Sequence, residues 1–217
     1  MKEEELHAIA LQLKHPTGEK GIEIANMMHE TNINMTRHSV QNLNIEAGES
    51  ILELGHGNAG HVEFVFEQAQ NLKYYGLEMS ELMFQEARQI NRNLVSQKQA
   101  FFSLYDGNII PFPENHFNKI FTVNTIYFWQ NPEEFLLEIY RLLKPNGVFC
   151  ITFAEESFMK QLPFTKFEFE LYSTEKVENL IQKTAFKIIN KETLTEKVKT
   201  RTGELVDRDF TTIVLEK

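Results

Sequence analysis

An α/β fold built on a doubly wound sheet is predicted by three features of this chain. From Ser50 to Phe153, apolar strand-like runs alternate with segments of helical period. The first run, Ile51-Leu52-Glu53-Leu54, leads straight into Gly55-His56-Gly57-Asn58-Ala59-Gly60, a Gly-x-Gly-x-x-Gly turn with a helical pattern behind it. Two β-branched stretches follow the alternation and read as a terminal hairpin.

The elements follow in order. Leu6, Ile9, Ala10 and Leu13 give a short amphipathic helix over 3–14, interrupted at His15-Pro16-Thr17-Gly18. A second helical region covers 19–43, and the poor helix formers at 30–34 predict a break within it. Strand one is 50–55, and Val62, Val65, Phe66 and Ala69 form the buried face of the helix after it. Strand two is 74–78, after which Ser80 caps a helix carrying Met83, Ala87, Ile90 and Leu94. Strands three and four are 101–105 and 119–124. Asn131-Pro132-Glu133-Glu134 combines a cap residue, a proline at the first helical position and first-turn acids. That helix ends at Lys144-Pro145-Asn146-Gly147, before strand five at 148–153. Residues 155–171 are Phe-rich without period. Ser173 then caps a helix, and 187–198 and 209–215 are strands joined by a polar turn at Gly203.

At 217 residues the chain suits one domain, 1–217. Its parts are an N-terminal helical cap (1–45), a core (46–155), a segment that is either a substrate cover or ordinary packing (155–171), and a C-terminal helix and hairpin (172–217). The formal charge of −9 and the lack of a basic stripe argue against a nucleic-acid partner. No apolar run approaches the roughly 20 residues of a membrane span. Met1-Lys2-Glu3-Glu4-Glu5 lacks the apolar core of a signal peptide, so a cytoplasmic location is expected and the Asn34-Met35-Thr36 sequon is taken as chance. Cys150 lies in an apolar run and reads as a buried, inert thiol.

Chemistry concentrates at the strand ends. Glu53, Glu78 and Asp106 close strands one, two and three, where doubly wound folds bind ligands. Glu78 follows Gly57 by 21 residues, the distance at which an acid receives ribose hydroxyls in both NAD and S-adenosylmethionine sites. Glu53 discriminates. A carboxylate beside the loop suits a ligand with an ammonium group and repels a pyrophosphate. Asp106-Gly107-Asn108 can hydrogen-bond an adenine amine. His56 and His61 have no third ligand nearby, so no metal is expected, and His61 reads as a helix-surface residue. His29, His38 and His116 read as solvent-facing or supporting groups. Tyr172-x-x-x-Lys176, a short-chain dehydrogenase pattern, overlaps a helix start and is read as coincidental.

In these motifs the sequence resembles the class I S-adenosylmethionine-dependent methyltransferases, in particular small-molecule enzymes like the ubiquinone/menaquinone C-methyltransferases. Four segments carry the likeness: Glu53–Gly60, Gly76-Leu77-Glu78-Met79-Ser80, Ile110-Pro111-Phe112-Pro113-Glu114-Asn115-His116-Phe117, and Leu142–Val148. His56 and Asn118 depart from the usual pattern. The resemblance implies a Rossmann-like seven-stranded sheet with its last strand antiparallel. It implies S-adenosylmethionine as cofactor and S-adenosylhomocysteine as product. Glu53 and Gly55 would lie near the methionine end, with His56, Gly57 and Gly60 completing the loop. Glu78 would hold the ribose, Met79 would lie against adenine, Asp106 with Gly107 and Asn108 would meet the adenine amine, and Asn124 would sit near the sulfonium. The expected reaction is in-line methyl transfer to a small, partly apolar acceptor, for which no general base is assigned. The acceptor pocket is expected from Met28, Asn32, Met35, Arg37, Tyr127 and Trp129. A nicotinamide-dependent oxidoreductase and a cofactor-binding protein without turnover are the alternatives.

Overall fold

The computed structural model describes residues 2–199 and 203–217. Helices α1 (Glu3–Lys14) and α2 (Gly18–Asn42) precede β1 (Ser50–Leu54), α3 (Val62–Gln68), β2 (Lys73–Glu78), α4 (Glu81–Ile90) and α5 (Arg92–Ser96). Then come β3 (Ala100–Leu104), β4 (Phe117–Val123), α6 (Pro132–Leu142), β5 (Leu143–Ala154), α7 (Glu156–Met159) and α8 (Thr174–Ile181). The hairpin β6 (Lys187–Lys199) and β7 (Leu205–Glu216) closes the chain. The seven strands form one sheet in the order β3-β2-β1-β4-β5-β7-β6. β1 pairs in parallel with β2 and β4, and β7 runs antiparallel to β5 and β6. Strand order therefore reverses between β1 and β4, which puts the loops after these strands at the binding edge.

Both faces of the sheet are covered. Phe117, Phe149 and Phe153 are fully buried on the side of α6 and α8, and Ile51, Tyr74 and Phe121 belong to the cluster that includes α3. Each such side chain contributes about 1.5–3 kcal/mol by leaving water. Cys150 is buried among them, accepts a hydrogen bond from Ser39 at 3.2 Å, and its thiol is pushed up to about 12 by burial. It is the inert thiol the sequence predicts.

Three expectations need correction. α2 runs unbroken through 30–34. The Thr31 hydroxyl turns back onto the helix (Oγ1 to the Met27 carbonyl, 2.9 Å), and the hairpin grips the segment from outside. Arg208 of β7 donates to Asn32 Oδ1 (3.0 Å) and to the Thr31 carbonyl (2.6 Å), and Asn34 donates to Glu196 of β6 (3.0 Å). Tertiary bonds thus override weak propensity. The helix after β2 divides at Asn91, whose amide donates to the carbonyls of Ala59 (3.0 Å) and Ala87 (2.9 Å) and ties α4 to the glycine loop. Residues 155–171 contain α7 and a 3-10 turn at Pro163–Lys166, with Phe158 and Met159 buried.

Past Phe210, the partner of Ala154, β7 pairs only with β6. The hairpin therefore overhangs the sheet and stands beside α2. Arg208 fixes it there through Asn32 and Thr31 and pairs with Glu196 of β6 (2.7 Å), with both charged side chains largely buried. At the capped start of α8 the Lys176 ammonium lies 4.5 Å from the ring centre of Tyr172, which is itself buried in the core. Among the described residues no helix is long and apolar enough to cross a membrane.

Candidate active site

The turn after β1 is set by its glycines. Gly55 has φ +74°, and a Cβ there would fall 2.5 Å from Thr125 Cγ2. Gly57 has φ +57° and open space where a Cβ would project, so a ligand can lie against the main chain. The Gly57 N–H donates to Glu78 Oε2 (3.0 Å), while Glu78 Oε1 accepts from the N–H groups of Met79 (2.8 Å) and Ser80 (3.1 Å). The end of β2 and the loop are thus one hydrogen-bonded unit.

Glu53 is 3% exposed. Its Oε2 accepts from His61 Nε2 (2.7 Å) and from the Tyr74 hydroxyl. A carboxylate only accepts, so Nε2 of His61 carries the proton. Both donors crowd one oxygen, and Oε1 has no partner among the described residues. His61 is therefore buried at the start of α3, which corrects its reading as a surface residue. Its actual partner lies on a neighbouring strand and could not be seen in the helical period. His29 of α2 stacks on His61 with ring centroids 6.4 Å apart. Burial, and then the neighbouring His61, lower its pKa, so it is neutral at pH 7.

His56 is folded back beneath the loop against Phe102 and Gly76. Its Nδ1 donates to the Gly57 carbonyl at 2.7 Å, and its Nε2 is buried without a partner. Burial lowers its pKa and keeps it neutral. At the far end, Asp106 Oδ1 accepts from the N–H groups of Asn108 (2.9 Å) and Ile109 (2.8 Å), which hold its carboxyl below the usual range and leave Oδ2 unengaged. A Cβ on Gly107 (φ +84°) would sit 2.8 Å from Met79 Sδ, so this glycine makes room for the Met79 side chain.

These groups line one cleft of about 200 Å³. It contains Glu53, Gly55, His56, Gly57, Glu78, Met79, Asp106, Gly107, Asn108 and Asn124. Gly60 stands behind it, its N–H donating to Asn58 Oδ1 (3.1 Å) and its Cα packed against His29. The roof comes from Leu13, Lys14 and Pro16, and from Ala25, Met28, His29, Asn32 and Thr36 of α2. Sequence reasoning missed His29, Asn58 and most of this roof, although the three-to-four spacing of the α2 residues marks one helix face.

A second cavity of about 220 Å³ adjoins the first and shares Leu13, Met28, Asn32, Asn124 and Phe128 with it. Its walls are mainly apolar: Ile9, Met27, Phe158, Met159, Leu162, Phe164 and Phe169, with Val198 and Val206 of the overhanging hairpin. Of the six expected acceptor-pocket residues, Met28, Asn32 and Tyr127 line this chamber, and Trp129 lines the cleft instead. Met35 and Arg37 line neither. Met35 is fully buried under Asn124 (Nδ2 to Sδ, 3.5 Å), and Arg37 is exposed on the opposite helix face, over the Phe64 ring. Asn124, with φ +57°, accepts on Oδ1 from the Ala154 N–H and the Tyr127 hydroxyl, both at 3.0 Å, which fixes the end of β4 to β5. The Ile110–Phe117 stretch lines neither cavity. Phe112, His116 and Phe117 stack around Tyr75 and Arg141 holds the Phe112 carbonyl (3.0 Å), so this likeness to quinone methyltransferases reports packing. Among the described residues no group of three or more His, Cys, Asp or Glu side chains could hold a metal ion.

A reversed-order parallel sheet with a glycine turn, an acid on each of its first three strand ends and a cleft above them defines a protein that binds a nucleoside-containing cofactor. Residues 52–151 match the family described as "Methyltransferase domain". The chain is 28% identical over 129 residues to the uncharacterized methyltransferase YdaC of Bacillus subtilis, covering 58% of this chain and 67% of that one. It is 26% identical over 105 residues to a fatty-acid O-methyltransferase of Mycolicibacterium smegmatis, covering 48% of this chain and only 37% of that protein. In fold it is similar to a geranyl diphosphate C-methyltransferase from Streptomyces coelicolor crystallised with S-adenosyl-L-homocysteine. There the TM-score is 0.69 at 12% identity, with 84% of this chain and 75% of that one covered. From β1 to β5 the chain is therefore similar to methyltransferase domains, and its fold to that of an enzyme crystallised with S-adenosyl-L-homocysteine.

Proposed function

We propose that this protein transfers the methyl group of S-adenosylmethionine to a small, partly apolar molecule held in the second cavity. The observation that carries the reading is the junction: a cleft with unengaged carboxylate oxygens opens, across five shared residues, into an apolar chamber. The cleft suits the cofactor's chemistry. Glu53 Oε1 receives the ammonium group, Glu78 the ribose hydroxyls and Asp106 Oδ2 the adenine amine, with Met79 against the base and Gly57 permitting close approach. Asn124 stands at the junction, where the sulfonium and the acceptor meet. The names of the fatty-acid O-methyltransferase and the geranyl diphosphate C-methyltransferase support an acceptor with a substantial apolar part.

The cofactor supplies an activated methyl group when bound. The chain supplies alignment and dryness. Helices α1 and α2 roof both cavities, α7 and the Phe164–Phe169 segment close the chamber, and the hairpin seals its side. The test is methyl transfer from methyl-labelled cofactor into fractions of an apolar metabolite extract, compared between the wild type and Met28→Trp, which crowds the shared wall. Label should enter an apolar fraction with the wild type and be greatly reduced with the variant. Cofactor binding without transfer into any fraction favours a protein that binds without turnover. Stabilisation by NAD(H) and not by S-adenosylhomocysteine favours the oxidoreductase alternative.

A further inference from the structure

The chemistry of the junction narrows the acceptor, an inference that rests on the function proposed above. Only two of the five shared residues are polar, Asn32 and Asn124. Both carboxamides have a fixed orientation. Asn32 Oδ1 accepts from Arg208 Nη1, and Asn124 Oδ1 accepts from the Ala154 N–H and the Tyr127 hydroxyl. A guanidinium and a backbone N–H only donate, so the oxygen of each amide must face them. The other ends of both amides are N–H groups. Asn124 Nδ2 meets only the weakly accepting Met35 sulfur, and Asn32 Nδ2 has no partner among the described residues. The junction thus offers hydrogen-bond donors to whatever occupies it.

The chamber, in turn, offers no base. Its described lining contains no Asp, Glu, His or Cys. Tyr127 donates its proton to the Ala154 carbonyl and Asn124, and the charged side chains present, Lys199 and Arg208, are cations. Arg208 is matched by Glu196, which is not part of the wall. The acidic and imidazole groups nearby, Glu53, His29 and His61, line the cofactor cleft. An alcohol, an ammonium or a neutral thiol must lose a proton on methylation, and an alkene must lose one afterwards.

We infer that the acceptor is a carboxylate on an apolar chain and that the product is its methyl ester. A carboxylate oxygen already holds the lone pair that forms the new oxygen–carbon bond. The methyl–sulfur bond breaks with its electron pair remaining on sulfur, one negative and one positive charge cancel, and no proton moves. The N–H groups of Asn32 and Asn124 hold the carboxylate while the tail lies among Phe128, Phe158 and Phe169.

Straight-chain acids from hexanoic to dodecanoic, with the matching alkanols, alkylamines and alkanethiols, should be incubated with the wild type and methyl-labelled S-adenosylmethionine. S-adenosylhomocysteine affinity is measured calorimetrically on the same preparation. Methyl esters are expected from the acids, with at least tenfold lower turnover of the other three series. Asn32→Asp, which keeps the bond to Arg208 but turns a carboxylate oxygen toward the junction, should lower kcat/KM for the acids at least tenfold while the cofactor still binds. Methylation of alkanols, amines or thiols in preference to acids, or no ester from any acid by protein that binds S-adenosylhomocysteine, overturns the carboxylate assignment. Failure to bind S-adenosylhomocysteine overturns the underlying function instead.

Discussion

The Gly57 N–H donates to Glu78 Oε2 at 3.0 Å, so the glycine turn after β1 and the acid ending β2 are positioned by each other. Glu78 also receives the Met79 and Ser80 N–H groups, three backbone donors on one side chain. Glu78→Ala removes the proposed ribose acceptor and the tether that shapes the turn. S-adenosylhomocysteine affinity should fall more than tenfold by calorimetry, matching about 1.5–3 kcal/mol for a charged hydrogen bond. Glu78→Gln keeps one accepting oxygen and should fall between the two.

Gly55→Ala tests the turn itself. A Cβ would overlap Thr125 Cγ2 and a left-handed backbone would have to be held by a non-glycine residue. The conformational part alone costs about 1–2 kcal/mol. The urea midpoint should drop, and Gly55→Ala combined with Thr125→Gly should recover the part due to overlap.

The Arg208–Glu196 pair is a structural clamp. It is largely buried and joins the hairpin overhang to α2 through Asn32 and Thr31. Arg208→Met leaves Glu196 without its cation and should cost about 3–5 kcal/mol, whereas Arg208→Met with Glu196→Gln should cost clearly less. Chemical denaturation of both variants separates the charge from the packing.

Stability should fall as pH drops from about 7 toward 5, because unfolded histidines bind protons near pH 6.5. The folded-state pKa of His56 is lowered by burial, so its neutral form carries stability that is complete above 6.5 and lost as pH falls below it. His29 and His116 are also shifted down by burial and share the window. Subtracting a His56→Phe melting profile from that of the wild type isolates the His56 part. A His56→Phe profile as steep as the wild type's would contradict it.

Legibility followed the range of the interactions. The β1 turn, the Ser80 cap and the Pro132 helix start are local, and the elements from Ser50 to Ala154 follow in the expected order, except that the helix after β2 divides at Asn91 and β5 starts at Leu143, through the expected turn at Lys144–Gly147. The sheet order with an antiparallel β7 agrees with the resemblance. What the chain hid was long-range. His61 is buried against Glu53 of β1, whose carboxylate also accepts from Tyr74 of β2, and α2 stays whole because Arg208, 176 residues away from Asn32, bonds its middle. Arg37 and Met35 were misplaced because α2 passes the cavities with only one face, that of Ala25, Met28, His29, Asn32 and Thr36. The chamber draws on segments from Ile9 to Arg208, and no local pattern brings these together.

In the proposed function the cleft over Gly57 delivers the cofactor's sulfur to the apolar chamber. A crystal structure of the S-adenosylhomocysteine complex tests it most directly. Ribose is expected on Glu78, adenine beside Met79 and Asp106, and sulfur at the junction of Asn32, Asn124 and Phe128. A complex in which the sulfur faces away from that junction, or in which the ligand lies outside the cleft, would contradict it.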